Sequence, residues 1–292
     1  IDLWGKLRDQ GSAAIAQTEA GAAELRQVKH SLAAQIAKSW FEYTSAQAQC
    51  QLAKETANTY KQFQKAMEPR FERGLTSARD LHRIRTQTAL SHAQIEAAQR
   101  RMDAVARSLE TLLGRYPSAS ISPSDTLRDL PSAIPAGLPA DLLQRRPDLI
   151  AAERRLSASE KNFSAAKKNR LPAISLTGNA GTSSDEFNDL LDSNFSIWSL
   201  AGNLAQPIYQ GGRINANINR SAALREQAQA QYRETALRAF LEVETTLAAE
   251  SYLQREYKQQ SLAAKQADAA ELLAWKRYRD GTIPFSDALE SQ

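Results

Sequence analysis

The side chains best suited to chemistry are few and scattered in this sequence. A single cysteine, Cys50, excludes an intrachain disulfide framework and a cysteine-based metal cluster. His30, His82 and His92 have no second histidine or carboxylate pair at metal-ligand spacing. The chain also lacks a glycine-rich phosphate loop, a nucleophile elbow and a carboxylate pair distinct from the charged helix faces. We therefore predict no catalytic, cofactor-binding or metal-binding residue, and a protein that is not an enzyme.

Charge and hydropathy narrow the class further. The 37 basic and 33 acidic residues are intermixed along 292 residues, and the net charge is only +4, so nucleic-acid binding is not predicted. No stretch approaches the ~18 consecutive apolar residues of a transmembrane helix, and the first residues lack a basic region followed by an apolar one. Any membrane crossing is expected to use strands.

Long runs of helical periodicity dominate the chain. Between residues 6 and 68 there is no proline, and apolar residues recur at steps of three and four, as in a coiled-coil seam. A helix of ~60 residues is roughly 90 Å long at a rise of about 1.5 Å per residue, so it must pack along neighbours. A second run from Ser77 to Leu113 follows Gly74. This order predicts an antiparallel helical hairpin that turns at the glycine in a left-handed C-cap.

The helical pattern returns later in the chain as a tandem repeat. The stretch 213–280 contains neither glycine nor proline. At one constant offset of 207 positions (212 − 5 and 281 − 74), Gly5 aligns with Gly212 and Gly74 aligns with Gly281, without a gap. Matching glycines at both ends of a rod of ~70 residues indicate a duplicated unit of strand, helix and helix. The second copy is expected to be incomplete at the end of the chain.

Between the rods the apolar period changes to two, which predicts two strands. Each can reach ~9–11 residues, the length of a tilted membrane strand, and an apolar-out, polar-in pattern suits a water-filled barrel. A half-buried hairpin of a soluble protein has the same alternation, and Trp198 fits either a membrane-interface belt or a core. Small polar residues alternate with the apolar members, which are Ile174, Leu176, Gly178 and Ala180 in the first strand and Trp198, Leu200, Gly202 and Leu204 in the second.

Proline-rich and acidic segments separate these elements. Six prolines between residues 117 and 147 mark an irregular connection, followed by a shorter amphipathic helix from Pro147 to Asn169. The segment joining the two strands is acidic and predicts a solvent-exposed loop, with Asp185, Glu186, Asp189 and Asp192. The chain thus divides into 1–4 (end of a membrane strand), 5–114 (first helical hairpin), 115–170 (connection), 171–209 (strand hairpin) and 210–292 (incomplete second helical hairpin).

Three segments carry a family resemblance: 137–148 (GLPADLLQRRPD) continuing to 151–156 (AAERRL), 171–178 (LPAISLTG) and 207–213 (PIYQGGR). Together with the order of the elements, they resemble the TolC/OprM-type outer-membrane factors, and more closely the OprM-like efflux outlets, over essentially the whole chain. The resemblance implies a mainly α fold with a small β part. Long antiparallel helical hairpins form a periplasmic α-barrel, and the β-hairpin contributes to the 12-stranded β-barrel of a homotrimer, four strands per protomer.

The same resemblance implies an outer-membrane location in a Gram-negative bacterium, with a large periplasmic part. The family's acylated N-terminal cysteine and first strands have no counterpart here. The implied function is a passive exit duct for small molecules such as drugs, toxic organic compounds or metal ions. The implied partners are a periplasmic adaptor protein, an inner-membrane pump that supplies the energy, and outer-membrane lipid, and no cofactor is implied.

In the family, the adaptor docks at the two helix-hairpin turns. By position, the adaptor-docking residues are Arg70, Gly74, Leu75, Thr76, Ser77 and Asp80 in the first turn and Arg277, Gly281, Thr282, Ile283 and Pro284 in the second.

The resemblance also implies a periplasmic gate at Ser286, Asp287 and Glu290. OprM-like channels narrow at a leucine and at an aspartate four residues later, and those positions hold Ser286 and Glu290. The serine puts an apolar plug in doubt, whereas Glu290 keeps the charge on a longer side chain. Three symmetry-related carboxylates that face each other can close a pore and respond to cations or pH. The alternative for Glu290 is a solvated helix-face residue, and the alternative for the whole chain is a soluble elongated coiled-coil scaffold.

Overall fold

Five helices and two strands make up the part of the chain that the structure describes. The structure, a computed structural model, describes residues 1–121, 145–183, 185 and 196–291. None of the described helices is both long and apolar enough to cross a membrane. The predicted fold class, mainly helical with one small β-hairpin, is confirmed. In chain order the elements are helix α1 (Lys6–Glu72), α2 (Ala78–Leu112), α3 (Pro147–Lys168), strand β1 (Ala173–Thr182), β2 (Ser196–Ala205), α4 (Arg213–Arg279) and α5 (Phe285–Glu290).

The two longest helices are copies of one unit. α1 and α4 each contain 67 residues, and both their first and their last residues lie 207 positions apart. Each helix lies between two glycines of positive φ: Gly5 (72°) and Gly74 (71°) around α1, Gly212 (80°) and Gly281 (73°) around α4. Glycine adopts this left-handed conformation without the clash that a Cβ would cause, so these four residues fix where the helices begin and end. The predicted tandem repeat is confirmed.

The described chain falls into two compact units. The first contains Ile1–Val28 and the described part of Gly137–Glu244, and the second contains the described parts of Lys29–Ala136 and Thr245–Gln292. In the first unit, α3 packs against the beginning of α1 through small side chains that allow a close approach of the two helices. This contact consists of Ala13, Ala16 and Ala158.

Ion pairs fasten α3 to α1 beside this alanine contact. Lys168 Nζ donates to Asp9 Oδ2 at 2.6 Å and to the carbonyl oxygen of Gly5 at 3.1 Å. The hydrogen bond from Lys168 lowers the pKa of the Asp9 carboxyl below its ordinary value. Two further pairs lie along the same contact, Arg154 with Glu19 and Arg155 with Glu24.

The RRPD segment, part of the family resemblance, fixes the start of α3. Arg146 donates to both carboxylate oxygens of Asp148, at 3.1 and 2.7 Å, and its Nη2 also donates to Glu242 Oε2 of α4 at 2.7 Å. The bonds to Asp148 and Glu242 raise the pKa of Arg146 above its ordinary value. Pro147 occupies the first helical position, where a backbone N–H would have no partner inside the helix. This segment therefore joins α3 to α4.

A buried carboxylate fixes the start of the irregular connection in the second unit. Glu110 of α2 is only 1% exposed and accepts hydrogen bonds from the backbone N–H groups of Ala119, Ser120 and Ile121 at 2.7, 2.8 and 3.1 Å. Burial alone would raise the pKa of Glu110, but these hydrogen bonds together lower it. The rest of the proline-rich connection, residues 122–144, lies outside the described residues.

The two strands form an antiparallel hairpin close to the predicted bounds. Their register runs from Ala173 opposite Ala205 to Thr182 opposite Ser196, and each strand has ten residues. Of the acidic segment between them, only Asp185 lies among the described residues.

The prediction that residues 1–4 end a membrane strand stays a prediction: within the described chain Ile1 and Asp2 are irregular, and Leu3 and Trp4 form a turn. The amino group of Ile1 donates to the carbonyl oxygen of Ile174 at 2.7 Å, and Trp4 Nε1 donates to the carbonyl oxygen of Pro172 at 2.8 Å. A strand requires a ladder of backbone hydrogen bonds, and these two contacts do not make one.

We expect Gly281→Ala in the full-length protein to lower the free energy of unfolding by about 1 kcal/mol, because alanine is strained at positive φ. Gly11→Ala is the matched control. Gly11 lies inside α1 with open space around its Cα, so alanine there should stabilise the helix by about 0.5–1 kcal/mol. Denaturant unfolding in detergent measures both values. Equal effects of the two substitutions would contradict the assignment of Gly281 as a left-handed helix end.

We also expect Asp9→Asn to reduce the loss of stability in acid. The folded-state pKa of Asp9 is lowered, so its ion pair stabilises the protein above pH ~4 and is lost as pH falls through the folded pKa. The substitution should lower the free energy of unfolding by about 1 kcal/mol at pH 7 and should leave it unchanged at the lowest pH. Unfolding measured from pH 7 to pH 3 tests this. Glu226→Gln, at an exposed residue of α4, is the control. If stability fell with pH in the same way in both variants, the stabilising role of the Asp9–Lys168 ion pair would be refuted.

Candidate functional site

The strand hairpin has two chemically different faces. The register places apolar residues opposite each other on one face: Ile174 with Leu204, Leu176 with Gly202, Gly178 with Leu200 and Ala180 with Trp198. The other face carries Ser175 with Asn203, Thr177 with Ala201 and Asn179 with Ser199 in its middle, and Ala173 with Ala205 and Gly181 with Ile197 at its ends. Within the two described strands there is no charged side chain on either face. The hairpin therefore offers one face suited to lipid and one suited to water.

Neither face of the hairpin is covered by the described part of the chain. Trp198 is 79% exposed, and Leu176, Leu200 and Leu204 are also exposed, whereas Ile174 is half-buried. The alternative that Trp198 packs in a core is therefore wrong for the described chain. A two-stranded sheet with both faces exposed is at best marginally stable alone in water, so the hairpin needs further strands or a surface to pack against.

The two predicted docking turns have the same local geometry. Gly74 donates its backbone N–H to Phe71 at 2.9 Å and Leu75 donates to Arg70 at 2.9 Å, which is the double hydrogen bond of a Schellman C-cap. In the second turn, Gly281 donates to the carbonyl oxygen of Tyr278 and Thr282 donates to that of Arg277, both at 3.0 Å. The second turn therefore repeats the two bonds of the first. Arg70, Gly74, Leu75, Ser77, Arg277, Gly281, Thr282 and Pro284 are exposed, whereas Thr76, Asp80 and Ile283 are half-buried.

The helix after the first turn is capped more completely than the helix after the second. Ser77 Oγ accepts from the backbone N–H of Asp80 at 3.1 Å and donates to the Asp80 carboxylate at 2.7 Å. Pro284 precedes α5 without a side-chain cap. The second turn therefore depends more on packing.

An aromatic core packs directly against both turns. Trp275 of α4 stacks on Phe63 of α1 with ring centroids 3.8 Å apart, and Phe285 of α5 lies 6.2 Å from Trp275 and 5.5 Å from Tyr278. The Arg70 guanidinium lies 5.8 Å from the Tyr278 ring centre. We call this group the tip core; it consists of Tyr60, Phe63, Met67, Leu81, Ile84, Trp275, Tyr278, Phe285 and Leu289. Because it draws side chains from α1, α2, α4 and α5, it holds the two turns together.

The predicted gate residues lie at the start and end of α5. Ser286 is half-buried, Asp287 is exposed, and Ser286 Oγ donates to Asp287 Oδ1 at 3.0 Å. The Glu290 side chain is 80% exposed, with its Oε1 3.9 Å from Nη2 of Arg83 on α2. An exposed pair of this kind contributes about 0–1 kcal/mol, so Glu290 is solvated and held only weakly.

Two ion pairs near the predicted gate residues have no signal in the sequence. Arg83, which faces Glu290, belongs to a helical run in which arginines are frequent, and no spacing distinguishes it. Arg85 donates to Glu68 Oε1 at 3.1 Å and so joins α2 to α1. The hydrogen bond from Gln64, and then that from Arg85, lowers the pKa of Glu68. Among the residues that the structure describes, no group of three or more His, Cys, Asp or Glu side chains could hold a metal ion.

A hairpin with one apolar face and one face carrying uncharged polar residues, joined to two duplicated long helices, is the arrangement expected of outer-membrane channel proteins. The chain matches the model of the family described as Outer membrane efflux protein over residues 1–115 and 138–292. It therefore belongs to the outer membrane efflux protein family. This family consists of channels and not of enzymes, which confirms the prediction of a non-enzymatic protein of the outer membrane.

Individual relatives agree with the family assignment. The chain is 31% identical over 292 residues to the toluene efflux pump outer membrane protein TtgF of Pseudomonas putida and 32% identical over 295 residues to the outer membrane protein OprJ of Pseudomonas aeruginosa. All of this chain is covered in both cases, and it spans 61% of the length of each relative. The outer-membrane channel OprN superposes with a TM-score of 0.92 at 27% identity, covering 99% of this chain and 66% of OprN.

We expect Trp275→Ala to destabilise the tip core by about 2 kcal/mol, roughly half the cost at a fully buried site, because Trp275 is half-buried. The neighbouring Lys276 is exposed, and Lys276→Ala should change stability by less than about 0.5 kcal/mol. Hydrogen exchange of residues 275–291 in the full-length protein measures the local effect. Unchanged protection in Trp275→Ala would contradict the claim that this core holds the second turn.

Proposed function

We propose that the protein is the passive outer-membrane exit duct of a tripartite efflux system, carrying small molecules from the periplasm to the exterior. The observation that carries this proposal is the hairpin, whose uncharged polar face suits a water-filled passage and whose apolar face suits lipid. Membership of the outer membrane efflux protein family supports it. The duct supplies a path and a gate, and an inner-membrane pump supplies the energy.

The open edges of the hairpin support a homotrimeric assembly. Each described chain supplies two strands of ten residues, and their unpaired backbone groups need partners wherever water is excluded. In the proposed trimer, each protomer gives four strands to one closed 12-stranded barrel, set in outer-membrane lipid. The polar faces then line the passage, and the absence of charge in the described strands suits solutes of different charge, including drugs, toxic organic compounds and metal ions.

The exposed turns are the proposed docking sites of a periplasmic adaptor protein. Their exposed residues are available for contact, and both turns share the tip core. A force applied to one turn is therefore carried to the other turn and to α5, whose first residue, Phe285, is buried in that core. In this way docking of the adaptor and pump moves the gate residues without touching them.

Glu290 is the proposed charge of the periplasmic gate, together with Ser286 and Asp287. Three exposed carboxylates near a symmetry axis repel one another unless a cation lies between them. Arg83 lies 3.9 Å from Glu290 and offsets part of the negative charge. The gate is therefore expected to respond both to added cations and to loss of the arginine.

Planar-bilayer conductance of the full-length protein tests this function. We expect discrete steps that divalent cations block, with the half-blocking concentration raised about fivefold in Glu290→Gln, since each cation then loses about 1 kcal/mol of attraction. Arg83→Gln should lower that concentration, because it leaves the carboxylate uncompensated. The control is Asp268→Asn, at an exposed residue of α4. If Glu290→Gln leaves the steps and their block by cations unchanged, the protein is a duct but Glu290 is not its gate. If no variant gives steps, the soluble scaffold is favoured.

A further inference from the structure

Two exposed arginines lie where the strand hairpin joins the helices. Arg170 comes three positions before β1, and Arg213 is the first residue of α4, eight positions after β2. Both side chains are exposed. We call this pair the basic rim. It lies at the helix end of the hairpin, opposite the end that carries the acidic joining segment.

Each arginine of the basic rim is held in place by a neutral amide. Arg170 Nη2 donates to Asn215 Oδ1 at 2.8 Å, and its own carbonyl oxygen accepts from Gln206 Nε2 at 2.9 Å. Arg213 Nε and Nη2 donate to Gln210 Oε1 at 3.3 and 3.0 Å. An amide orients a guanidinium group without neutralising it, and both groups keep unused donors for a further acceptor.

Two cations close to these elements are paired with carboxylates, unlike the arginines of the basic rim. Lys168, two positions before Arg170, is paired with Asp9, and Arg146 is paired with two carboxylates. Neither arginine of the basic rim forms an ion pair with a described residue. Their charge is therefore oriented and, within the described part of the chain, not neutralised by an ion pair.

Aromatic and apolar side chains surround the basic rim. Trp4 is held by its bond to Pro172 and remains partly exposed, while Tyr209 and Ile208 are almost fully exposed. Aromatic side chains with one apolar and one polar end collect at the level of lipid headgroups. Their position at the strand ends is the one expected at the headgroup level of a membrane that the hairpin crosses.

We propose that the basic rim binds the phosphate groups of anionic phospholipids in the periplasm-facing leaflet. This inference rests on the proposed function, because it needs the hairpin in a membrane. Guanidinium groups pair with phosphate through two parallel hydrogen bonds, and an anionic lipid offers a phosphate without a nearby ammonium group to cancel its charge. The occupant is thus a lipid in the bilayer and not a free phosphate ion.

The test measures lipid selectivity in vesicles that contain the full-length protein. Tryptophan fluorescence is quenched with brominated phosphatidylglycerol or brominated phosphatidylcholine in a Trp198→Phe background, which removes the tryptophan of the lipid-type face, so that Trp4 reports on the basic rim. We expect phosphatidylglycerol to bind more tightly, and Arg170→Gln and Arg213→Gln each to reduce the relative binding constant about fivefold. The matched control is Arg233→Gln, at an exposed arginine of α4 about 30 Å along the helix, which should leave the constant unchanged.

Three outcomes would overturn the proposal. The first is equal binding of the two lipids by the unmodified protein. The second is displacement of phosphatidylglycerol by millimolar inorganic phosphate, which would make the basic rim a site for the free ion. The third is dissociation of the oligomer by Arg170→Gln in neutral detergent without lipid, which would assign the arginine to a contact between copies. Conductance separates this proposal from the duct itself: variants without lipid preference should still give unitary steps.

Discussion

A strand that crosses a membrane finds no water for its backbone, so every N–H and C=O group must be paired within the protein. The hairpin of this chain meets that requirement on only one edge of each strand, because β1 and β2 pair with each other alone among the described residues. Apart from the bond from Ile1 to Ile174, their outer edges have no strand partner among the described residues, and their apolar and polar faces are largely exposed there. In the proposed trimer, further strands pair with these edges to close the barrel, and the long helices carry that closed wall onward into the periplasm.

The duplicated rods give that wall its regularity. Four glycines of positive φ set identical helix ends in both copies, so the two turns have the same hydrogen-bonded geometry. Their surroundings differ, however, because Ser77 caps the helix after the first turn and Pro284 provides no such cap after the second. The aromatic tip core compensates by packing Phe285 among Trp275, Tyr278 and the residues of α1 and α2. The helix that carries Glu290, the proposed gate charge, is therefore positioned by packing rather than by a side-chain cap.

The sequence predicts those elements whose physics is local. Glycines that need positive φ predict the ends of α1 and α4, and the period of two predicts β1 and β2, because each signal depends on neighbouring residues only. The Glu110 site, the stacking of Trp275 on Phe63 and the pair of Arg83 with Glu290 depend on which helices come together, and no spacing in the chain reveals that. The strand end predicted at residues 1–4 stays a prediction for a related reason, since a strand is defined by its partner as much as by its own residues.

The central claim is that one face of the hairpin meets lipid and the other meets water, and site-directed spin labelling of the full-length protein tests it most directly. Leu200→Cys and Ser199→Cys, made with the buried Cys50 replaced by alanine, place labels on the two faces. We predict that the label at 200 is relaxed mainly by oxygen dissolved in the bilayer and the label at 199 mainly by a water-soluble nickel complex. Equal access of the nickel complex to both labels would contradict the account and identify the hairpin as part of a water-soluble protein.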